Sequence, residues 1–198
     1  TRPPVQPPSR LWMHKACRLT SRIAGLITLA DAVPRSARRP TRQFVYAHPA
    51  HFVAFAGGTG LAPFAPGTFG TLLAFPLYWV LNATSDGVTQ LSVLIGIFLL
   101  GAWACQRTGA ALGVADHGGM VWDETVAFML VLMFTPAGWL WQVAAFALFR
   151  LFDIVKPPPI RHFDRTLKNG FGVMFDDLLA AGYTLLALAL AKALIELL

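Results

Sequence analysis

The chain of 198 residues has ten Asp and Glu, and seven of them fall between positions 116 and 177: Asp116, Asp123, Glu124, Asp153, Asp164, Asp176 and Asp177. Four of the seven form adjacent pairs. Asp123-Glu124 stands ahead of the apolar run 126–134, and Asp176-Asp177 ahead of the run 178–190. A single acid at a helix start has an ordinary explanation, because Asp is a favoured N-cap and a first-turn carboxylate gains ~0.3–1 kcal/mol from the helix dipole. Doubled acids at two helix starts, in so acid-poor a chain, point to a shared site.

Basic residues accompany them. Arg150 and Asp153 are three apart and share one side of a helix, and Lys156 follows at its exit. After Pro157-Pro158-Pro159 come Arg161, Asp164 and Arg165, and a helix there puts Arg161 and Arg165 on one face. The same residues also suit a solvated loop with an end-of-helix ion pair. Hard oxygen ligands without clustered Cys or His, together with Lys and Arg, belong to Mg2+ and phosphate chemistry rather than to zinc. Mg2+ uses one or two carboxylates plus water and phosphate oxygens. A further carboxylate can position or deprotonate the attacking water, and Lys or Arg offsets charge on the phosphoryl group.

A Gly/Pro-rich stretch at 57–71 (GGTGLAPFAPGTFGT) lacks the Lys of a P-loop and the spacing of a dinucleotide fingerprint. It offers a backbone that approaches an anion closely, with Thr59, Gly67 and Thr68 as candidate substrate contacts and Thr68 near a helix start. A membrane-entry turn has the same composition. Neither Cys17 nor Cys105 opens a C-x5-R phosphatase loop, because Ile23 and Ala111 stand where the Arg is needed. No D-x-D-x-[TV] aspartyl-phosphate motif, CDP-alcohol transferase signature or Ser/His phosphatase set is present. Metal-activated water is the remaining route.

The elements that must position these residues are apolar. Hydrophobic residues make up 56% of the chain and charged ones 13%, with a mean hydropathy of +0.56. Average soluble domains carry roughly 25% charged residues. The formal charge of +6 comes from residues 1–42, where nine Lys/Arg face one acid, while residues 43–198 have seven bases and nine acids. This composition excludes a nucleic-acid binder. Residues 1–43 read as a basic Pro/Arg-rich tail, disordered or lying on anionic lipid; the apolar run 23–30 imitates a secretory signal only loosely.

The stretches 68–82, 88–105, 122–135, 139–154 and 177–198 read as helices, predicting an all-α, small polytopic membrane bundle of about four to five apolar helices. The second and last are long enough to span; the others are short spans or buried helices. If all five cross, the loops 57–70, 106–123 and 155–176 gather on one face. That face carries Arg107, Lys156, Arg161, Arg165 and Lys168, so the positive-inside rule makes it cytoplasmic.

Three ordered blocks resemble the phosphatidylglycerophosphatase A family over about residues 44–198. They are the 57–70 loop, Val121-Trp122-Asp123-Glu124, and the run from Phe149-Arg150-Leu151-Phe152-Asp153 through Lys156-Pro157, Pro159-Ile160-Arg161, Phe163-Asp164 and Gly170 to Asp176-Asp177. Asp116-His117 matches the turn before the second block. Pro158, Lys168-Asn169 and Ala127 depart from the family pattern without removing a charged motif residue. The resemblance implies a multi-pass enzyme of the bacterial inner membrane, its active site facing the cytoplasm. The implied reaction is Mg2+-dependent hydrolysis of phosphatidylglycerophosphate to phosphatidylglycerol among membrane lipids. By position it implies Asp123, Glu124, Asp153, Asp176 and Asp177 as catalytic groups, with Asp123, Glu124, Asp176 and Asp177 as metal ligands. Arg150, Lys156, Arg161 and Arg165 are implied as phosphate contacts.

The alternative class is a small ion- or proton-coupled transporter with acids lining its path. Transport predicts ionisable residues near mid-membrane. Here they gather at helix ends on one side, with Lys192 and Glu196 as the exceptions.

Overall fold

The computed structural model describes residues 40–197, which form helices and turns with no strand among the described residues. All but the last four residues of the basic tail lie outside that range. Two short helices, α1 (Arg42–Tyr46) and α2 (Pro49–Ala54), lead through a 3-10 turn (Ala56–Leu61) into α3 (Pro66–Thr84) and α4 (Gly87–Leu112). Then follow α5 (Trp122–Phe134), α6 (Trp139–Val155), the short α7 (Ile160–Thr166) and α8 (Gly170–Glu196). Each of the five apolar stretches is thus a helix. At ~1.5 Å per residue, α4 and α8, with 26 and 27 residues, reach about 40 Å and are apolar enough to cross a membrane. Helix α5, with 13 residues, reaches only about 20 Å.

The helix ends follow from local chemistry. Asp86 caps α4 by accepting the Thr89 N–H at 3.1 Å, and Gly113, at φ +75°, closes its C-terminus. Asn169 caps α8 by accepting the Gly172 N–H at 2.8 Å. That cap corrects the sequence expectation. Helix α8 begins at Gly170, so Asp176 and Asp177 sit about two turns inside it, beyond the reach of N-cap or first-turn dipole effects.

Chain neighbours are not the main packing partners. Helix α8 is central and packs against α4, α5, α6 and α7, while α5 lies between α3 and α8. The α4–α8 crossing is close at Gly170, where a Cβ would overlap the Ala102 carbonyl and where the N–H donates to Gln106 Oε1 at 2.7 Å. One core centres on Phe128, whose ring meets those of Phe75, Phe146 and Phe149 at 5.2, 5.9 and 5.4 Å. A second joins Val45, Phe55, Cys105, Met120 and Met174. Large apolar side chains also point outward, among them Trp79, Ile95, Leu99, Leu190 and Leu194.

Candidate active site

Three elements bring carboxylates together. Asp123 and Glu124 occupy the first turn of α5, and Asp123 Oδ1 accepts the Glu124 N–H at 3.0 Å. Asp177 comes from the third turn of α8. One ligand oxygen from each of Asp123, Glu124 and Asp177 lies within 4.8 Å of the others. Asp123 and Asp177 are only 6% and 4% exposed. Three carboxylates so close and so buried repel one another unless a cation or proton intervenes.

Helix α6 supplies the counter-charge. Arg150 Nη1 stands 2.7 Å from Asp153 Oδ2 and 3.5 Å from Glu124 Oε1. It also donates at 3.3 Å to the hydroxyl of Thr71, which in turn donates to the Gly67 carbonyl at 2.9 Å. Gly67 lies directly against this group: a Cβ there would overlap Glu124 Oε1 and stand 3.0 Å from both terminal nitrogens of Arg150. The glycine at the start of α3 is therefore required by close approach of the site.

A second ion group adjoins the first through Asp176, the residue before Asp177. Lys156, in the left-handed conformation (φ +45°) at the end of α6, hydrogen-bonds Asp176 and, at 3.1 Å, Asp164 of α7. Partial burial alone would lower the Lys156 pKa, but the Asp176 and Asp164 carboxylates outweigh it and raise the pKa above the ordinary lysine range. The bridge ties α7 to α8.

Two buried atoms of the site have no hydrogen-bond partner among the described residues: Glu124 Oε2 and Arg150 Nε. Buried polar groups are nearly always paired, so each orphan has capacity for a further partner, a cation or a donor at Glu124 and an acceptor at Arg150. An all-oxygen donor set with a spare carboxylate oxygen fits a hard divalent cation such as Mg2+, with Asp123, Glu124 and Asp177 as holders. A free guanidinium N–H beside it fits a phosphate oxygen.

Of the residues expected from sequence, Asp123, Glu124, Asp153, Asp177, Arg150 and Gly67 are assembled into one cluster. Asp176 and Lys156 form the adjoining pair, and Asp176 is engaged by the lysine rather than joined to the three clustered carboxylates. Arg161 and Arg165 do share a short helix, but both are exposed; Arg161 donates to the Val155 carbonyl at 3.3 Å, at the end of α6. Thr59 turns its hydroxyl onto the Ala56 carbonyl at 3.1 Å within the 3-10 turn. The Thr68 N–H bonds the Ala65 carbonyl at 2.9 Å. Two contributors carry no role in the sequence reading. Thr71 is legible only as the residue one turn after Gly67, and Asp164 only as one of the seven acids and part of the Phe163-Asp164 block.

Fold and site together define a helical protein with an oxygen-ligand cluster suited to a divalent cation and an arginine beside it suited to phosphate. The family model for phosphatidylglycerophosphatase A matches residues 52–192. A phosphatidylglycerophosphatase A of Haemophilus influenzae is 46% identical over 149 residues, covering 74% of this chain and 91% of that protein. One from Escherichia coli is 40% identical over 134 residues, covering 67% and 77%. A Bacteroides thetaiotaomicron protein with the provisional name phosphatidylinositol-3-phosphatase is 40% identical over 142 residues, covering 68% and 88%. No solved structure matches. The chain belongs to the phosphatidylglycerophosphatase A family, a family of phosphatases.

Proposed function

We propose that this chain hydrolyses the terminal phosphate of phosphatidylglycerophosphate to give phosphatidylglycerol, a step of glycerophospholipid synthesis, with Mg2+ at Asp123, Glu124 and Asp177. The observation that carries this reading is the pair of orphaned buried atoms, Glu124 Oε2 and Arg150 Nε, one suited to a cation and the other to an anion. When bound, Mg2+ would neutralise charge on the phosphate oxygens and acidify water. Arg150 holds the phosphate through its free N–H, its fork fixed by Asp153, Glu124 and Thr71. Water attacks phosphorus in line with the ester oxygen, and Asp153 receives the proton that the water loses. The electron pair of the broken P–O bond leaves on the glycerol oxygen, which takes up the proton that Asp153 accepted, so the products are alcohol and inorganic phosphate and Asp153 returns to its carboxylate form. Lys156, itself anchored by Asp164, holds Asp176, and with it the α8 turn that carries Asp177, in register.

The same proposal places the protein at the bacterial inner membrane, where a lipid substrate lies. Helices α4 and α8 have the length and composition to cross, and their outer faces present Ile95, Leu99, Leu190 and Leu194. In this reading the protein is multi-pass, with the short helices α3, α5 and α6 packed against the two long ones. Arg107, Lys156, Arg161, Arg165 and Lys168 then orient the site to the cytoplasm. The transporter alternative loses its two distal charges as path residues, because Lys192 and Glu196 pair with each other at 3.7 Å and are exposed.

The test is phosphate release by purified protein from phosphatidylglycerophosphate and, separately, from phosphatidylinositol 3-phosphate, with and without EDTA. Release from the first, lost in EDTA and restored by Mg2+, supports the proposal. Preference for the second moves the assignment to the inositol lipid, and turnover indifferent to EDTA rejects the metal.

A further inference from the structure

An open groove of about 250 Å3 runs between α4, α5 and α8, and every residue lining it is apolar. Leu91, Ile95 and Phe98 line it from α4, Ala127 and Leu130 from α5, and Leu178 from α8. The three α4 residues recur at helical spacing on one stripe, and from Leu91 to Phe98 that stripe is roughly 10 Å long.

Two of the helices that line the groove, α5 and α8, also carry the clustered carboxylates, although no carboxylate lines the groove itself. On α5, Ala127 and Leu130 stand four and seven residues beyond Asp123, on the same face of the helix. On α8, Leu178 directly follows Asp177, and Met174, another lining residue, precedes it by three. Along α5 the lining of the groove begins about one turn beyond Asp123. The α4 rim is unpartnered, with Leu91 43% and Ile95 54% exposed, so the channel can be entered from the side. The lining suits a slender apolar occupant, and its nearness to the cluster along α5 and α8 suits one that carries a charged head.

We propose that this groove takes an acyl chain of the lipid whose phosphate is bound at Asp123, Glu124 and Asp177, which makes Ile95 and Ala127 determinants of chain-length preference. The proposal rests on the lipid-phosphatase reading above. It predicts that the enzyme distinguishes lipids by chain as well as by headgroup.

The test uses full-length protein in detergent micelles and two forms of phosphatidylglycerophosphate, with acyl chains of sixteen and of four carbons. Ile95→Trp fills the groove from its exposed rim; Leu100→Trp, 42% exposed on another face of α4 and outside the groove, is the control. Ile95→Trp is expected to lower kcat/KM about tenfold on the sixteen-carbon lipid and less than twofold on the four-carbon lipid. Leu100→Trp is expected to leave the sixteen-carbon value within twofold. Equal behaviour of the two variants on the long-chain lipid, or an equal loss by Ile95→Trp on both lipids, overturns the groove proposal alone. Wild-type protein that releases phosphate from neither lipid overturns the lipid-phosphatase reading instead.

Discussion

Replacing Gly67 by alanine separates the needs of the helix from those of the site. Gly67 is the second residue of α3, after Pro66, and its backbone is not in the left-handed region, so alanine is sterically allowed by φ and ψ. In an open helix that change stabilises by about 0.5–1 kcal/mol. Here the new Cβ overlaps the Glu124 carboxylate and meets both terminal nitrogens of Arg150 at 3.0 Å. Overpacking of this kind costs about 1–3 kcal/mol, so the net loss of stability is at most about 2.5 kcal/mol. For a domain of this size that corresponds to no more than about 10 °C in Tm. Activity suffers more. Relieving the overlap moves a carboxylate or the guanidinium on the order of 1 Å, and such a displacement costs about 100-fold in rate. The expected result is a fall of about 100-fold in kcat for phosphate release, with a modest change in thermal unfolding in detergent. Gly182→Ala is the matched control, because its Cβ meets nothing within 4 Å; it is expected to unfold at the wild-type temperature or above and to stay fully active. A Gly67→Ala enzyme within threefold of wild-type activity would refute the placement of Glu124 and Arg150 against α3. So would a loss of activity no greater than the loss of folded protein.

Thr71→Val keeps the shape of the side chain but removes the hydroxyl that Arg150 contacts; a hydrogen bond to a charged group contributes about 1.5–3 kcal/mol, so kcat/KM is expected to fall ten- to 100-fold with the fold intact by circular dichroism. Arg150→Lys retains the charge but loses the planar fork that reaches Asp153, Glu124 and Thr71 together, and kcat/KM measured by phosphate release is expected to drop at least tenfold. For Lys156, the folded pKa lies above the ordinary lysine value of 10.5, so its stabilisation is fully present below that pH and fades only as pH rises past it toward the folded value. The Tm difference between wild type and Lys156→Met is therefore expected not to shrink as pH rises from 7 to 9, and a difference that shrinks within that window contradicts the Asp164–Lys156–Asp176 bridge.

Much of the site was legible because charge is scarce in the chain beyond its tail. Asp123-Glu124 and Asp177 stood out by type alone, and Arg150 with Asp153 by three-residue spacing. The start of α8 was misplaced by seven residues, because Gly170-Phe171-Gly172 carries the composition of a loop. That glycine is set by the Ala102 carbonyl of α4, a contact between residues 68 positions apart that no local pattern records. Thr71 was passed over for a similar reason: a threonine inside an apolar helix has no distinguishing type, and only the arrival of Arg150 from α6 gives it a role. Arg161 and Arg165 differ from Arg150 in placement rather than in type. Positive charge that orients a membrane protein and positive charge that binds phosphate use the same side chains, and the sequence does not record that Arg150 is largely buried in the cluster whereas the other two face outward.

The central claim is that Glu124 shares a divalent cation with Asp123 and Asp177 while Arg150 holds the phosphate beside it. Its most direct measurement is the Mg2+ dependence of phosphate release from phosphatidylglycerophosphate by wild type and Glu124→Gln, which keeps the shape of the side chain but removes one negative charge. The half-saturating Mg2+ concentration is predicted to rise at least tenfold in the variant. Superimposable Mg2+ curves, with only the maximal rate reduced, would contradict the claim.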